Sequence, residues 1–196
     1  MKTSIASLFV LATTIFSAGD AAAASKPGKS EVWPVKEGQA QIVLVRNSNV
    51  SWDQPTFLYE TTSGQPRYLG LISNKRKFVL DLPPGDHVLM IGKMPLCDFM
   101  PVSVLPGKRY YAVVVSRWPD GTTLRPVRHQ GDGYVYGTDQ FREVLNYTTI
   151  AGKAPDSMIK EESRKAEEVY PAKWQQWSSK TAEQKASLTI RAEDSE

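Results

Sequence analysis

Short runs of β-branched and aromatic residues, separated by turn-forming residues, fill the middle of this 196-residue chain. Such side chains pack well on a pleated surface, whereas Gly, Pro, Asn and Asp stand where the chain reverses. No helical pattern interrupts the series. The runs cover residues 41–46, 56–61, 67–72, 77–82, 87–92, 102–105, 109–116 and 122–127. This pattern restricts the chain to a mainly β fold.

The number and spacing of these runs indicate how the strands are arranged. Seven or eight short strands without helices between them indicate an antiparallel β-sandwich rather than a parallel sheet with crossover helices. A small closed barrel has the same strand count and stays open as an alternative. Pro126 indicates an edge strand, because proline cannot donate to a β-ladder. We therefore predict a β-sandwich domain over residues 38–130, preceded by a flexible segment at residues 25–37.

The chain changes character after residue 130. Residues 131–152 begin rich in Gly and Tyr, and they predict a loop followed by a short docked helix. Phe141, Val144 and Leu145 have the spacing that places them on one side of that helix. Asp139 precedes them and is the candidate N-cap.

Residues 153–196 predict a charged helical tail. Pro171 is expected to break or restart the helix, because proline lacks a backbone N–H and clashes with the preceding turn. A further helix start follows, with Thr181 or Ser179 as its cap. The expected architecture is a β-sandwich with a C-terminal helical extension.

Residues 1–24 have the features of a cleavable secretory signal. Lys2 supplies a positive charge, residues 5–18 form an apolar run, and small residues follow at the positions that signal peptidase accepts. Cleavage is expected after Ala23 or Ala24. The apolar run is too short for a stable membrane span. The sequence thus predicts a mature protein that is periplasmic or secreted.

Cys97 is the one cysteine of the sequence, so an intramolecular disulfide is excluded. It lies in an apolar stretch without adjacent basic residues, which predicts a packed, unreactive thiol. No cysteine stands at the end of the apolar run of the signal, so we expect no lipid anchor at the mature N-terminus.

Residues 67–72 and 78–88, which contain a leucine-x-proline-glycine-x-histidine pattern ending at His87, resemble a small bacterial envelope family of unknown function. Residues 174–194 are similar to the C-terminal end of related exported proteins. The resemblance covers roughly residues 38–128 and implies a β-sandwich of the cell envelope. Many members of that family are lipoproteins, whereas this chain lacks the lipid-bearing cysteine. The resemblance implies no catalytic residues.

The residue types that carry catalysis are sparse. The two histidines, His87 and His129, stand far apart and outside any metal-ligand spacing, and no Gly-x-Ser-x-Gly motif occurs. We therefore expect no catalytic, cofactor-binding or metal site, and no enzymatic activity. The alternative is an envelope hydrolase that uses His87 or His129 with a nearby carboxylate.

Tryptophans are the candidate partner-binding residues. Trp174 and Trp177, three positions apart, either anchor the tail to the sandwich or form a partner-binding face, and the anchor is favoured because the tail has little other apolar surface. Trp33, Trp52 and Trp118 lie near predicted strand ends. Exposed aromatics there favour glycan or peptide contact, whereas buried ones belong to the core.

The charge balance narrows the partner class. Lys and Arg number 24 against 21 Asp and Glu, a net charge of +3 that is ordinary for a solvated surface, and no nucleic-acid partner is expected. Basic residues of the β region either gather into one patch or disperse, and dispersal is favoured because alternate strand positions face opposite ways. These are Lys75, Arg76, Lys77, Lys93, Lys108, Arg109, Arg117, Arg125 and Arg128.

Together these patterns predict an exported, non-enzymatic binding or structural module of the bacterial cell envelope. Its expected partner is an envelope protein or polymer. The oligomeric state stays open.

Overall fold

Strands make up the largest share of the structure, a computed structural model that describes residues 33–46, 55–117, 121–146, 148–149 and 154–196. The strands among these residues are β1 (Ala40–Arg46), β2 (Thr56–Glu60), β3 (Arg67–Ile72), β4 (Arg76–Leu82), β5 (Gly85–Lys93), β6 (Leu96–Val104), β7 (Arg109–Arg117), β8 (Gly121–Arg128), β9 (Tyr134–Val135) and β10 (Thr148–Thr149). The helices are α1 (Asp139–Leu145), α2 (Asp156–Ser178), α3 (Ala182–Ser187) and the 3₁₀ helix Ala192–Asp194.

The strands form two sheets. The six-stranded sheet has the order β10-β4-β1-β7-β8-β9, and the four-stranded sheet has the order β3-β2-β5-β6. Most neighbours are antiparallel, but β1 pairs with β7, β4 with β10 and β8 with β9 in parallel. The predicted mainly β fold with C-terminal helices is confirmed, with parallel pairings that strand spacing alone does not reveal.

The main core takes side chains from both sheets. In β1, Ala40, Ile42 and Leu44 belong to this core, whereas Val43 and Val45 belong to a second cluster. Successive side chains of a strand point to opposite faces of its sheet, so β1 is buried on both. The second cluster includes Phe141 of α1, so α1 covers the outer face of the six-stranded sheet.

A third cluster lies between the four-stranded sheet and α2. Phe57 and Tyr59 of β2 and Phe99 of β6 contribute from the sheet, and Ala166 and Trp177 contribute from the helix. A helix 23 residues long with little hydrophobic surface depends on such packing for its stability.

Helix α1 forms where its periodicity predicts it, but it begins differently. Thr138, not Asp139, is the N-cap, and its hydroxyl accepts a hydrogen bond from the backbone N–H of Phe141 at 3.3 Å. Thr138 has extended backbone angles, whereas Asp139 is already the first helical residue. In that position its carboxylate still interacts favourably with the positive end of the helix dipole.

Pro171 lies inside α2, and the expected break does not occur. A proline inside a helix removes one backbone hydrogen bond, because it has no N–H to donate. Aromatic residues on both sides of it, Tyr170, Trp174 and Trp177, all contact the Phe99 ring edge-on. This packing holds the two halves of the helix against one sheet. The next helix starts at Thr181, which forms a capping box with Gln184, and Ser179 is the C-cap of α2.

After α3 the chain is extended around Ile190, before the short 3₁₀ helix Ala192–Asp194. After α3, Ile190 forms a parallel bridge with Val102 of β6 and is fully buried in the main core. Its N–H donates to the carbonyl of Pro101 at 3.0 Å, and its carbonyl accepts from the N–H of Ser103 at 2.9 Å. The last part of the predicted helical tail therefore extends the four-stranded sheet at its β6 edge.

Gly92 allows the hairpin of β5 and β6 to close. A Cβ atom there would stand 2.6 Å from the Cα of Cys97 and would also meet the carbonyl oxygen of Leu96. Gly92→Ala is therefore expected to lower the free energy of unfolding by about 1–3 kcal/mol, as overpacking does. Urea unfolding measures this. At Gly70 the added methyl would meet the ring of Phe78, which can move, so Gly70→Ala should cost less; the reverse ranking would contradict this account.

Candidate ligand-binding cleft

A cleft of about 490 Å³ lies where β6, β8 and the C-terminal part of α2 meet. Its polar and charged lining includes Asp98, Thr123, Arg125, Lys173 and Lys180. Phe99, Trp177 and Leu188 supply apolar walls. The two sheets and the helix all contribute, so the fold itself fixes the shape of this cleft.

Asp98 joins the three elements at the cleft. Its carboxylate accepts hydrogen bonds from the Thr123 hydroxyl of β8 at 2.7 Å and from its neighbour's backbone N–H at 2.9 Å. It also pairs with the Lys180 ammonium, which follows α2, at 3.0 Å. Bonds to a charged group are stronger than neutral ones, so Asp98 fixes the positions of Thr123 and Lys180.

Lys173 differs from Lys180. Its side chain is half-buried in the cleft, and within the described residues it makes no hydrogen bond or ion pair. Lys173 precedes Trp177 by four positions, the spacing of side chains on one helix face, and Lys180 follows Trp177 by three positions, just after the end of α2. This spacing of two lysines around a tryptophan is the sequence signal from which the cations of the cleft were predictable, and the sequence analysis missed it.

Cys97 also lines the cleft. Burial raises the pKa of its thiol to about 11, and the nearby charge of Lys173 opposes that rise only in part. At neutral pH the group is therefore a thiol rather than the nucleophilic thiolate.

The structure places Trp174 and Trp177 together. Trp177 is 7% exposed, its ring stacks on Trp174 with centroids 5.1 Å apart, and the Lys185 ammonium lies 5.5 Å from its ring centroid. Trp174 is half-buried in the same cluster. Trp33 is exposed, and its carbonyl accepts a hydrogen bond from Arg109 at 2.8 Å. The candidates Trp52 and Trp118 lie outside the described residues.

His87 lies away from the cleft. Its Nδ1 is 2.7 Å from the Glu60 carboxylate and its Nε2 is 2.9 Å from the Pro83 carbonyl. Both ring nitrogens are therefore engaged by groups of the protein.

A smaller cavity of about 220 Å³ borders His87, Asp86 and Ser103. The Ser103 hydroxyl donates to Asp86 at 2.6 Å. A serine hydrolase instead uses a serine bonded to histidine. His129 is placed elsewhere, with its Nε2 2.8 Å from the Ser195 carbonyl and its ring 4.8 Å from that of Tyr136.

Glu60 makes the surroundings of His87 sensitive to acid. Burial favours its neutral form, but hydrogen bonds from Arg67 and His87 outweigh burial and lower its pKa. Because the folded state prefers the carboxylate, its stabilising effect is present above the ordinary Glu pKa of about 4.3 and is lost as pH falls through the lower folded value. We expect the melting temperature of the wild type to fall more steeply than that of Glu60→Gln below about pH 4.3. Parallel slopes in calorimetry would contradict this.

Lys77 does not join a basic surface patch. The residue is fully buried, and its ammonium donates to the Leu145 carbonyl at the end of α1 at 2.6 Å. Burial lowers the pKa of this lysine. Lys77 therefore cannot belong to a basic surface patch, and the alternative of one patch is wrong in including it. Its side chain instead helps to hold α1.

The described ranges contain neither of two further features, a metal-binding cluster and a bilayer-spanning helix. No group of three or more His, Cys, Asp or Glu side chains there has an arrangement that would hold a metal ion. No helix in the same ranges combines the length and apolar character needed to cross a bilayer.

Comparison with known proteins adds no functional assignment. No family model matches the chain, and no curated protein matches it significantly.

Proposed function

We propose that this protein is an exported, non-enzymatic binding module of the bacterial cell envelope, and that it binds its ligand in the cleft between β6, β8 and α2. The observation that carries the proposal is the cleft itself. Its volume of about 490 Å³ falls in the range of small-molecule sites, which combine apolar walls with a few placed polar groups. Export is supported by the signal-like residues 1–24, and the envelope by the family resemblance of residues 67–88.

The scaffold suits a preformed site. The two sheets share one apolar core, which supports a β-sandwich as the finer description of the fold. Asp98 links β6 to β8 and to the end of α2, and Phe99 packs on Trp177 beside it. A site held by strands and a packed helix loses little entropy on binding, which favours affinity.

The hydrolase alternative has less support. The ring nitrogens of His87 both face acceptors within the protein, and His129 bonds to the backbone near the end of the chain. The cleft contains the Cys97 thiol, whose pKa of about 11 does not favour a nucleophile. A His87→Ala, His129→Ala double variant should therefore fold and retain binding.

Ligand binding in the cleft is tested by a substitution that fills the cleft with a large side chain. Gln176 is exposed on α2 and lines the cleft, whereas the adjacent exposed Gln175 does not. The probe is the low-mass carbohydrate and peptide fraction of the host envelope, analysed by native mass spectrometry. We expect the wild type and Gln175→Trp to retain a ligand that Gln176→Trp loses. Equal retention by all three proteins, or by none, would overturn the assignment of the cleft.

Export has a separate test. Fractionation of the host and mass spectrometry of the mature N-terminus should recover a chain cut after Ala23 or Ala24 outside the cytoplasm. Recovery of unprocessed Met1 in the cytoplasm would overturn the exported location and leave the cleft assignment standing.

A further inference from the structure

We propose that the cleft recognises a sugar-sized ligand through an oxyanion, a phosphate or a carboxylate, and that Lys173 is its main contact. This inference rests on the proposed function of the cleft and names the chemical class of its ligand. Three observations support it together: the charges of the lining, the lack of a partner for the Lys173 ammonium among the described residues, and the buried apolar walls of the cleft.

The lining is unbalanced in charge. Arg125, Lys173 and Lys180 are its cations, and Asp98 is its acid. The Lys185 ammonium stands nearby, above the Trp177 ring. A concave surface lined mainly by one sign of charge focuses its electric field and concentrates ions of the opposite sign. The cleft therefore favours anions over neutral or cationic ligands.

The single acid is already engaged. Asp98 accepts from Thr123 at 2.7 Å and from Lys180 at 3.0 Å, so its charge is compensated inside the cleft. It positions Lys180 and leaves little attraction for a second cation. A ligand carboxylate or phosphate beside Lys180 would share a cation whose place Asp98 has fixed.

Lys173 has the opposite status. It is half-buried, yet within the described residues its ammonium has no hydrogen-bond acceptor or carboxylate partner. A partly desolvated ammonium gains strongly from a charge-assisted hydrogen bond. Lysine acts as a point charge that suits the oxygens of phosphate or carboxylate. Among the described residues, no acceptor of the protein engages the Lys173 ammonium.

Buried apolar side chains form the walls of the cleft, which strengthens such a contact. Burial raises the pKa of the Cys97 thiol to about 11 even though Lys173 lies near it. Phe99, Trp177 and Leu188, all buried, form the adjoining walls. Charges interact more strongly where water is excluded, so an ion pair with Lys173 is worth more here than on an open surface.

Three sugars with one ring and different charges test the class of ligand: glucose, glucuronate and glucose 6-phosphate. Calorimetric titration of the full-length protein should show binding of the two anionic sugars and at least about tenfold weaker binding of glucose, as expected for loss of a charge-assisted bond. Lys173→Gln should weaken binding of the anionic sugars about tenfold by the same argument.

Lys160→Gln is the matched control. Lys160 lies on the same helix, is exposed and does not line the cleft, so its replacement should leave affinity unchanged. Equal effects of Lys160→Gln and Lys173→Gln would overturn the role of Lys173. They would show that only the net charge of the protein, and not a contact with Lys173, affects binding.

Cys97 provides a second readout. It is the one cysteine of the sequence and lines the cleft, so a bound ligand should slow its reaction with a maleimide. Protection by glucuronate but not by hyaluronan, a glucuronate-containing polymer, would identify a free sugar acid, and protection by both would identify a segment of an anionic polymer. Equal protection by glucose would overturn the proposal that the cleft recognises an oxyanion, but it would leave the proposal that the cleft binds a ligand. Absence of protection and of titration heat with every probe would overturn the oxyanion class, whereas the Gln176→Trp comparison decides the cleft independently.

Discussion

Ile190→Ala is expected to lower the free energy of unfolding by about 2–5 kcal/mol, the range for truncating a buried isoleucine. Ile190 is fully buried in the core shared by the two sheets. Its removal leaves a cavity between the β6 edge and the rest of that core. Urea denaturation at neutral pH measures the loss as a lower midpoint with an unchanged slope.

Two variants control this measurement. Ile190→Val removes one methylene and should cost about 0.5–1.5 kcal/mol, so the effect should grow with the volume deleted. Leu105 is 45% exposed, and Leu105→Ala should change stability far less. If Ile190→Ala proves as mild as Leu105→Ala, the segment after α3 does not contribute to the core.

Trp177→Ala is expected to lower the free energy of unfolding by about 3–5 kcal/mol. Trp177 is 7% exposed and packs against both Trp174 and Phe99 on the outer face of the four-stranded sheet. Removing it takes away one of the two tryptophans that hold the C-terminal part of α2 against the sheet. Thermal and urea unfolding should both show the loss.

The comparison with an exposed residue separates the two interpretations of the tryptophan pair. Met158 is 42% exposed near the start of α2, and Met158→Ala should leave stability nearly unchanged. If Trp177→Ala behaves in the same way but abolishes ligand binding, Trp177 is a recognition residue and not an anchor.

The strands were predictable because their signal is local. Residues 41–46 and 109–116 are rich in β-branched and aromatic residues, which pack well on a pleated surface, and the structure has β1 and β7 there. Their parallel pairing was not predictable, because β1 and β7 become neighbours only through the arrangement of both sheets. The start of β6 at Leu96 was also missed, since Pro95 and Cys97 obscure its alternation.

The helical tail shows where tertiary packing outweighs a local rule. Pro171 alone predicts a break, but Tyr170 and Trp174 both contact Phe99, and this shared docking keeps α2 continuous. Ile190 was assigned to the helical tail, because the alternation of Leu188, Ile190 and Ala192 is short and directly follows a helical pattern. Only the structure reveals that it completes a distant core.

The cleft was predictable only in part. Trp177 was singled out from its spacing to Trp174, but Asp98 is a lone acid in an apolar stretch and carries no motif. Its role depends on Thr123 and Lys180, which come from other parts of the chain. A site assembled from side chains distant in sequence leaves no short pattern to recognise.

The placement of Ile190 also bears on when this protein can fold. The core that contains Ile42 of β1 also contains Ile190, from the other end of the described chain. This core cannot be completed until the segment that carries Ile190 has been synthesised and translocated. Contacts between residues so distant in sequence form slowly, because a long loop must close first. For a chain proposed to be exported, late core completion prolongs the unfolded state that can thread through a narrow membrane channel.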